Sequence, residues 1–137
     1  MSWDKRKLIP QEEIQKKITE TTVRFAEEFG SYLARKEEGT EPLTTSQLRK
    51  FFGEVKRQQM TDGYNETNFV MLKPKLAYAV GRAKQNVRKY YKIEDFYLVM
   101  ADAIDKVVRS SNKEVSFRNF ITAFAAIVAY HKAAEKN

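Results

Sequence analysis

The sequence predicts an all-α fold, a compact five-helix bundle in a single domain, and three observations carry that prediction. Apolar residues recur at helical spacing along most of the 137-residue chain. Five Gly and three Pro leave little room for a turn-rich all-β fold. The length suits one hydrophobic core and is short for two. Residues 1–9 are expected to form a flexible basic arm, with Trp3 a candidate anchor against the body or a partner. Residues 10–137 are expected to form the helical domain.

Pro10 suits a helical first turn, and Glu12 and Glu13 suit the positive end of the helix dipole. Ile14, Ile18, Phe25, Phe29 and Tyr32/Leu33 then keep helical register, with Thr22 in one apolar slot, so the first helix should run to about Lys36. EEGTEP follows as a loop. Thr44 and Gln47 form a capping-box pattern that opens the second helix, whose buried face is Leu48, Phe51, Phe52 and Val55. That helix should fade near Met60, because TDGYNETN carries an Asp-Gly turn signal and little apolar content. This loop is the expected place for disorder or an insertion.

The third helix places Phe69, Leu72, Leu76, Ala79/Val80, Ala83 and Val87 on its apolar side. Pro74 sets its start near Lys73 or kinks it there. The fourth uses Ile93, Phe96/Tyr97, Met100, Ile104 and Val107/Val108 and stops at SSNK. The fifth begins around Ser116 and is apolar over a wide arc, Phe117, Phe120, Ile121, Phe124, Ile127, Val128 and Tyr130, as expected of a helix enclosed by its neighbours.

Several function classes are expected to be absent. With no Cys there are no disulfides or thiolate metal sites, which fits a reducing cytoplasm. No apolar run approaches the ~20 residues that span a bilayer, so no membrane association is expected. MSWDKRKLIP has no apolar signal region and is not read as a secretory signal. The single His, His131, lies near the end of the last helix and reads as a partly exposed C-terminal residue. Asp102 and Asp105 lie three apart on helix four without a third ligand, and read as solvated helix charges. No Gly-rich phosphate loop or HExxH motif is present. Catalytic residues, metal ligands and cofactors are therefore all expected to be absent, and the chain does not read as an enzyme.

The charge is more informative. Residues 44–92 hold eleven Lys and Arg against three acids (Glu54, Asp62, Glu66), a net +8 in a chain of net +7, so the remainder sums to −1. A concentrated basic region suggests a polyanion partner, most often nucleic acid. On helix three, Lys75, Tyr78, Arg82, Gln85 and Lys89 form one stripe at spacings of three and four. On helix two, Arg49, Lys56 and Met60 share a face, with Lys50 and Arg57 one position round. Two such stripes could flank a groove that follows a phosphate backbone, with Tyr78 a stacking surface. Ordinary solubilising charges, with Tyr78 in the core, are the simpler alternative.

These residues also carry a resemblance. TTSQLRKFFGEVKR, LKPKLAYAVGR and the closing FITAFAAIVAYHK are similar, in order and spacing, to the small subunit of the type III-A (Csm) CRISPR effector complex, over roughly residues 40–134. The resemblance implies a non-catalytic helical bundle. Its copies associate with one another and stack beside the backbone subunits that hold the guide RNA, in a complex that also contains the polymerase-like large subunit. They face the guide–target RNA duplex and help hold single-stranded target RNA. By matched position it implies RNA contacts from Arg49, Lys50, Lys56 and Arg57, and from Lys73, Lys75 and Arg82; Gln47 is explained by its capping role. Tyr78 and Lys89 join the candidate list from the helix-three stripe. The wide arc of helix five and the Tyr90-Tyr91 pair are candidate subunit contacts that core packing explains more simply.

Two other readings remain open. One is a helical adaptor whose basic face meets an acidic protein surface. The other is a DNA-binding helical domain, which the long TDGYNETN connection disfavours, since a helix-turn-helix joins its helices by 3–4 residues.

Overall fold

A computed structural model describes residues 3–135, so the first two residues of the expected arm and the last two of the expected domain lie outside the described residues. The helices are α1 (Gln11–Gln15), α2 (Glu20–Ala34), α3 (Thr45–Thr61), α4 (Glu66–Val70), α5 (Leu72–Ala83), α6 (Ile93–Val108) and α7 (Lys113–Ala134). Two-residue strands, β1 (Thr40–Glu41) and β2 (Tyr90–Tyr91), pair in parallel. The five long helices are the five the periodicity predicts.

The wide apolar arc of α7 requires neighbours on several sides, and it has them. α2 packs along its length, and α1, α3 and α6 also contact it, while α5 rests on α6. Phe117, Phe120, Phe124 and Ile127 of α7 are buried, so core packing accounts for the arc. Rings meet edge-on through the core: Phe69 with Phe120 at 5.1 Å and Phe52 with Phe124 at 5.0 Å between centroids, a geometry that adds to the area term. Gly30 sits against the backbone of α7. A Cβ there would stand 2.9 Å from both the Ile127 carbonyl oxygen and the His131 nitrogen.

The predicted first helix is two helices. Glu13 folds its carboxylate onto the next segment, accepting from the Thr19 amide at 2.7 Å and the Thr22 hydroxyl at 2.6 Å. Thr19, extended and with its hydroxyl facing the Thr21 amide, becomes the N-cap of α2. Local side-chain bonds outcompete the continuous backbone ladder here, and the chain breaks at 16–19. Thr22 is buried, as its slot in the apolar pattern predicts.

Residues 3–9, expected as an arm, lie on the body with Trp3 as the anchor. Its ring packs against Phe25, Phe29 and Tyr32, and its indole N–H donates to the Lys7 carbonyl at 2.9 Å. TDGYNETN, expected as the place for disorder or insertion, is a built connection. Gly63 takes the left-handed conformation (φ 68°) just past α3, and Asn65 caps α4. Tyr64 packs against Phe69 and Phe117.

Helix three also ends early. α5 stops at Ala83, with Pro74 in its first turn where no intrahelical donor is lost. Beyond it, the Tyr91 hydroxyl accepts the amides of Gln85 and Asn86, and the Asn86 side chain accepts the Arg88 amide. These bonds take the place of another helical turn. Val87, expected on the apolar side, is therefore 99% exposed, and Gln85 and Lys89 leave the stripe. Tyr90 and Tyr91 pair with Thr40 and Glu41 in the small sheet, and the Tyr90 hydroxyl donates to Asp95. α7 begins at Lys113, capped by Asn112, three residues before the expected Ser116.

Candidate nucleic-acid interface

Between α3 and α5 runs a groove of about 730 Å³. It exists because the two helices pack on different supports, α3 on α7 and α5 on α6, and not closely on each other. Leu43, Phe51, Leu76, Ala79 and Phe96 provide its apolar lining. Lys50 stands on the α3 side and Lys75, Tyr78 and Arg82 on the α5 side. Met71, Pro74, Lys75, Tyr78 and Arg82 fall on one ridge of the chain entering and forming α5, about 16 Å long at 1.5 Å per residue. Past Gln47 and Ala83 the groove meets a smaller hollow of about 280 Å³ beside Tyr91.

The structure separates the nine sequence-predicted residues. Lys50, Lys75, Tyr78 and Arg82 line the groove together. Tyr78 is 68% exposed rather than in the core, and the Arg82 guanidinium lies 6.0 Å from its ring centre. Arg49 and Lys56 are not among the lining residues. Arg49 is about 100° round the helix from Lys50 and two helical turns from Lys56, so these two mark a separate strip on α3. Arg57 pairs with Glu54 at 2.7 Å, at the groove's α3 edge. Lys73 pairs with Asp105 at 2.7 Å, away from the groove, and Lys89 with Glu41 at 2.6 Å, where Glu41 lines the smaller hollow.

Ion pairing thus sorts the basic segment in a way the sequence could not. Besides Arg57, Lys73 and Lys89, Lys84 pairs with Glu94, and Lys75 lies 3.4 Å from Glu54. Lys92 leaves the surface altogether: fully buried, it bonds the carbonyls of Tyr32 and Arg35 and the Glu37 carboxylate, closing the end of α2. Burial holds its ammonium below the usual lysine range. No carboxylate lies within ion-pair distance of Arg49, Lys50, Lys56, Arg82 or Arg88 among the described residues. Burial pushes Glu54 up, but bonds from Arg57 and Gln58 and the charges of Lys75 and Arg57 outweigh it and leave the carboxyl below its ordinary range. This one acid at the groove is thus already engaged by cations.

The other polar candidates have structural partners. His131 is buried, not partly exposed: its Nε2 donates to the Leu43 carbonyl at 2.7 Å, tying α7 to the chain before α3. Asp102 pairs with Lys106 and Asp105 with Lys73. Among the described residues no three His, Asp or Glu gather as a metal-binding group. No described helix is long and apolar enough to cross a membrane.

Sequence reasoning missed the apolar half of the site. Phe51 and Ala79 read as core positions, yet both are only half-buried and line the groove. Gln47 has the capping role its spacing from Thr44 predicts: its side-chain oxygen accepts the Thr44 amide at 2.9 Å. That bond leaves its amino group available at the groove wall.

Fold and site define a mostly helical, single-domain protein with a grooved basic face. The family model described as Csm2 Type III-A matches residues 16–137, and the chain belongs to that family. Membership makes it a small subunit of the type III-A effector, associated with the Csm complex, in a family whose small subunits are generally structural and not catalytic. No curated protein and no solved structure matches it.

Proposed function

We propose that this subunit holds single-stranded target RNA in the type III-A complex through the basic rim of the α3–α5 groove. The observation that carries the reading is the convergence of Lys50, Lys75 and Arg82 on one groove with the exposed Tyr78. Neutralising phosphates with Lys and Arg is the main sequence-independent source of nucleic-acid affinity, and such contacts fix position without reading sequence. The matched region, residues 16–137, contains every residue concerned. Copies of the subunit stack along the guide–target duplex beside the backbone subunits, each presenting this rim, while chemistry on the RNA belongs to other subunits.

The test is a fluorescence titration of single-stranded RNAs of unrelated sequence with the isolated protein in rising salt. Weak binding, little sequence preference and a steep loss of affinity with salt are expected. Salt-insensitive, sequence-selective binding would sink the reading. Incubation of the RNA with Mg²⁺ or Mn²⁺ should leave it intact.

The groove's apolar lining favours one second reading, an adaptor that seats a helix of an acidic partner protein. A chain that binds no RNA yet assembles through Lys50 and Arg82 would establish it.

A further inference from the structure

We infer that the α3–α5 groove receives an unstacked base of single-stranded RNA, with Tyr78 as the stacking lip and Lys50, Lys75 and Arg82 on the flanking phosphates. The inference rests on the RNA reading and goes beyond it, since phosphate contacts alone need only a cationic strip. The groove is a concavity of about 730 Å³. That lies within the ~300–1,000 Å³ of sites that enclose small organic groups. Its apolar lining, with Phe51 and Ala79 half-buried over the enclosed Leu76 and Phe96, offers contacts to a planar ring and none to a phosphate.

Tyr78 strengthens the case. At 68% exposure its ring contributes little to the core, and among the described residues its one ring contact is the Arg82 guanidinium. Every base has a π-face, so an exposed aromatic beside cations is the usual platform for single strands. The Gln47 amide adds a polar group to the wall: its oxygen is taken by the Thr44 amide, and its amino group is a donor for a base oxygen or ring nitrogen. Glu54, which could repel phosphate, is occupied by Arg57, Gln58 and Lys75.

The experiment compares a decauridylate with the same chain length of abasic ribose-phosphate, by anisotropy at low salt, on the wild-type protein, Tyr78→Ala and Tyr78→Phe. The two ligands carry the same phosphates and differ only in bases. The abasic strand should bind about tenfold more weakly for one seated base. Tyr78→Ala should remove most of that difference and Tyr78→Phe should keep it, with circular dichroism unchanged in both. Equal affinity for the two strands, with both lost in high salt, overturns the base site and leaves the phosphate reading standing. If neither strand binds, the RNA reading fails and the inference with it. If the strands bind equally and Tyr78→Ala instead prevents assembly with the other Csm subunits, the groove seats protein, and the inference is overturned.

Discussion

Glu13 shows how much a single buried carboxylate can organise. Burial alone pushes its carboxyl up, but hydrogen bonds from Thr19 and Thr22 side chains and amides outweigh that and hold it below its ordinary value of 4.5. The bonds satisfy donors at the start of α2, and they explain why the chain breaks after α1. A carboxyl lowered in the folded state adds stability that is full above its unfolded value and lost as pH falls through the folded value. Glu13→Gln should therefore cost about 1–3 kcal/mol at neutral pH, measured by urea unfolding. The gap to wild type should narrow as pH drops below about 4. A constant gap down to acid pH would mean that the carboxylate's charge contributes nothing. None of this was legible beforehand, because Glu13 reads equally well as a dipole-favouring residue at a helix start. Trp3 carries the same lesson. A lone aromatic near a terminus has no periodicity, so its burial is decided by tertiary neighbours the sequence does not name. His131 differs: it stands four past Ile127 and seven past Phe124, on the buried face of α7, so there the helical register outweighs the preference of a His for an exposed helix end.

At the scale of elements, the most extensive packing is between α2 and α7, and Gly30 permits it. The helices meet with backbone against backbone, so a methyl group would press on the Ile127 carbonyl, not on a side chain that can turn away. Gly30→Ala normally gains helix propensity, about 1 kcal/mol in an open helix. Here overpacking should reverse the sign and cost about 1–3 kcal/mol, read as a lower thermal midpoint. Gly53, in α3 with open space around its Cα, is the contrast: Gly53→Ala should be neutral or stabilising. A stabilised Gly30→Ala protein would show that the α2–α7 spacing yields easily. The five long helices were legible because each repeats an apolar face over several turns, and the Thr44–Gln47 capping box was legible because both partners are local. The early end of α5 was not. It depends on Tyr91 accepting amides from Gln85 and Asn86, a contact set by how the returning chain pairs with Thr40–Glu41. Two-residue strands leave no period to read.

For the whole molecule, the question is which of the clustered positive charges are free to act. The sequence places eleven cations between residues 44 and 92. The fold buries Lys92 and joins Lys73, Lys84 and Lys89 to carboxylates contributed by β1 and α6. These acids are distant in sequence from their partners, which is why a helical-wheel stripe overcounts the binding surface. Three paired substitutions divide the possibilities. Lys50→Ala with Arg82→Ala removes two cations that line the groove, and at about 0.7 per single-strand phosphate the salt slope should flatten by about 1.4. Lys73→Ala with Lys89→Ala removes charges already matched by Asp105 and Glu41, so the slope should hold. Arg49→Ala with Lys56→Ala removes the separate strip on α3, and the slope should again hold if the strand follows the groove. All six side chains sit at the surface or half-buried, so each change should alter stability by only about 0.5 kcal/mol. Leu48→Ala and Leu76→Ala, at fully buried positions, should instead cost about 2–5 kcal/mol. Equal flattening by the groove pair and by Arg49 with Lys56 would place the RNA across the ridge of α3. An unchanged slope in the groove pair would leave Lys50 and Arg82 as solvated charges, and only if that pair also fails to assemble with the other Csm subunits would the groove belong to a protein partner.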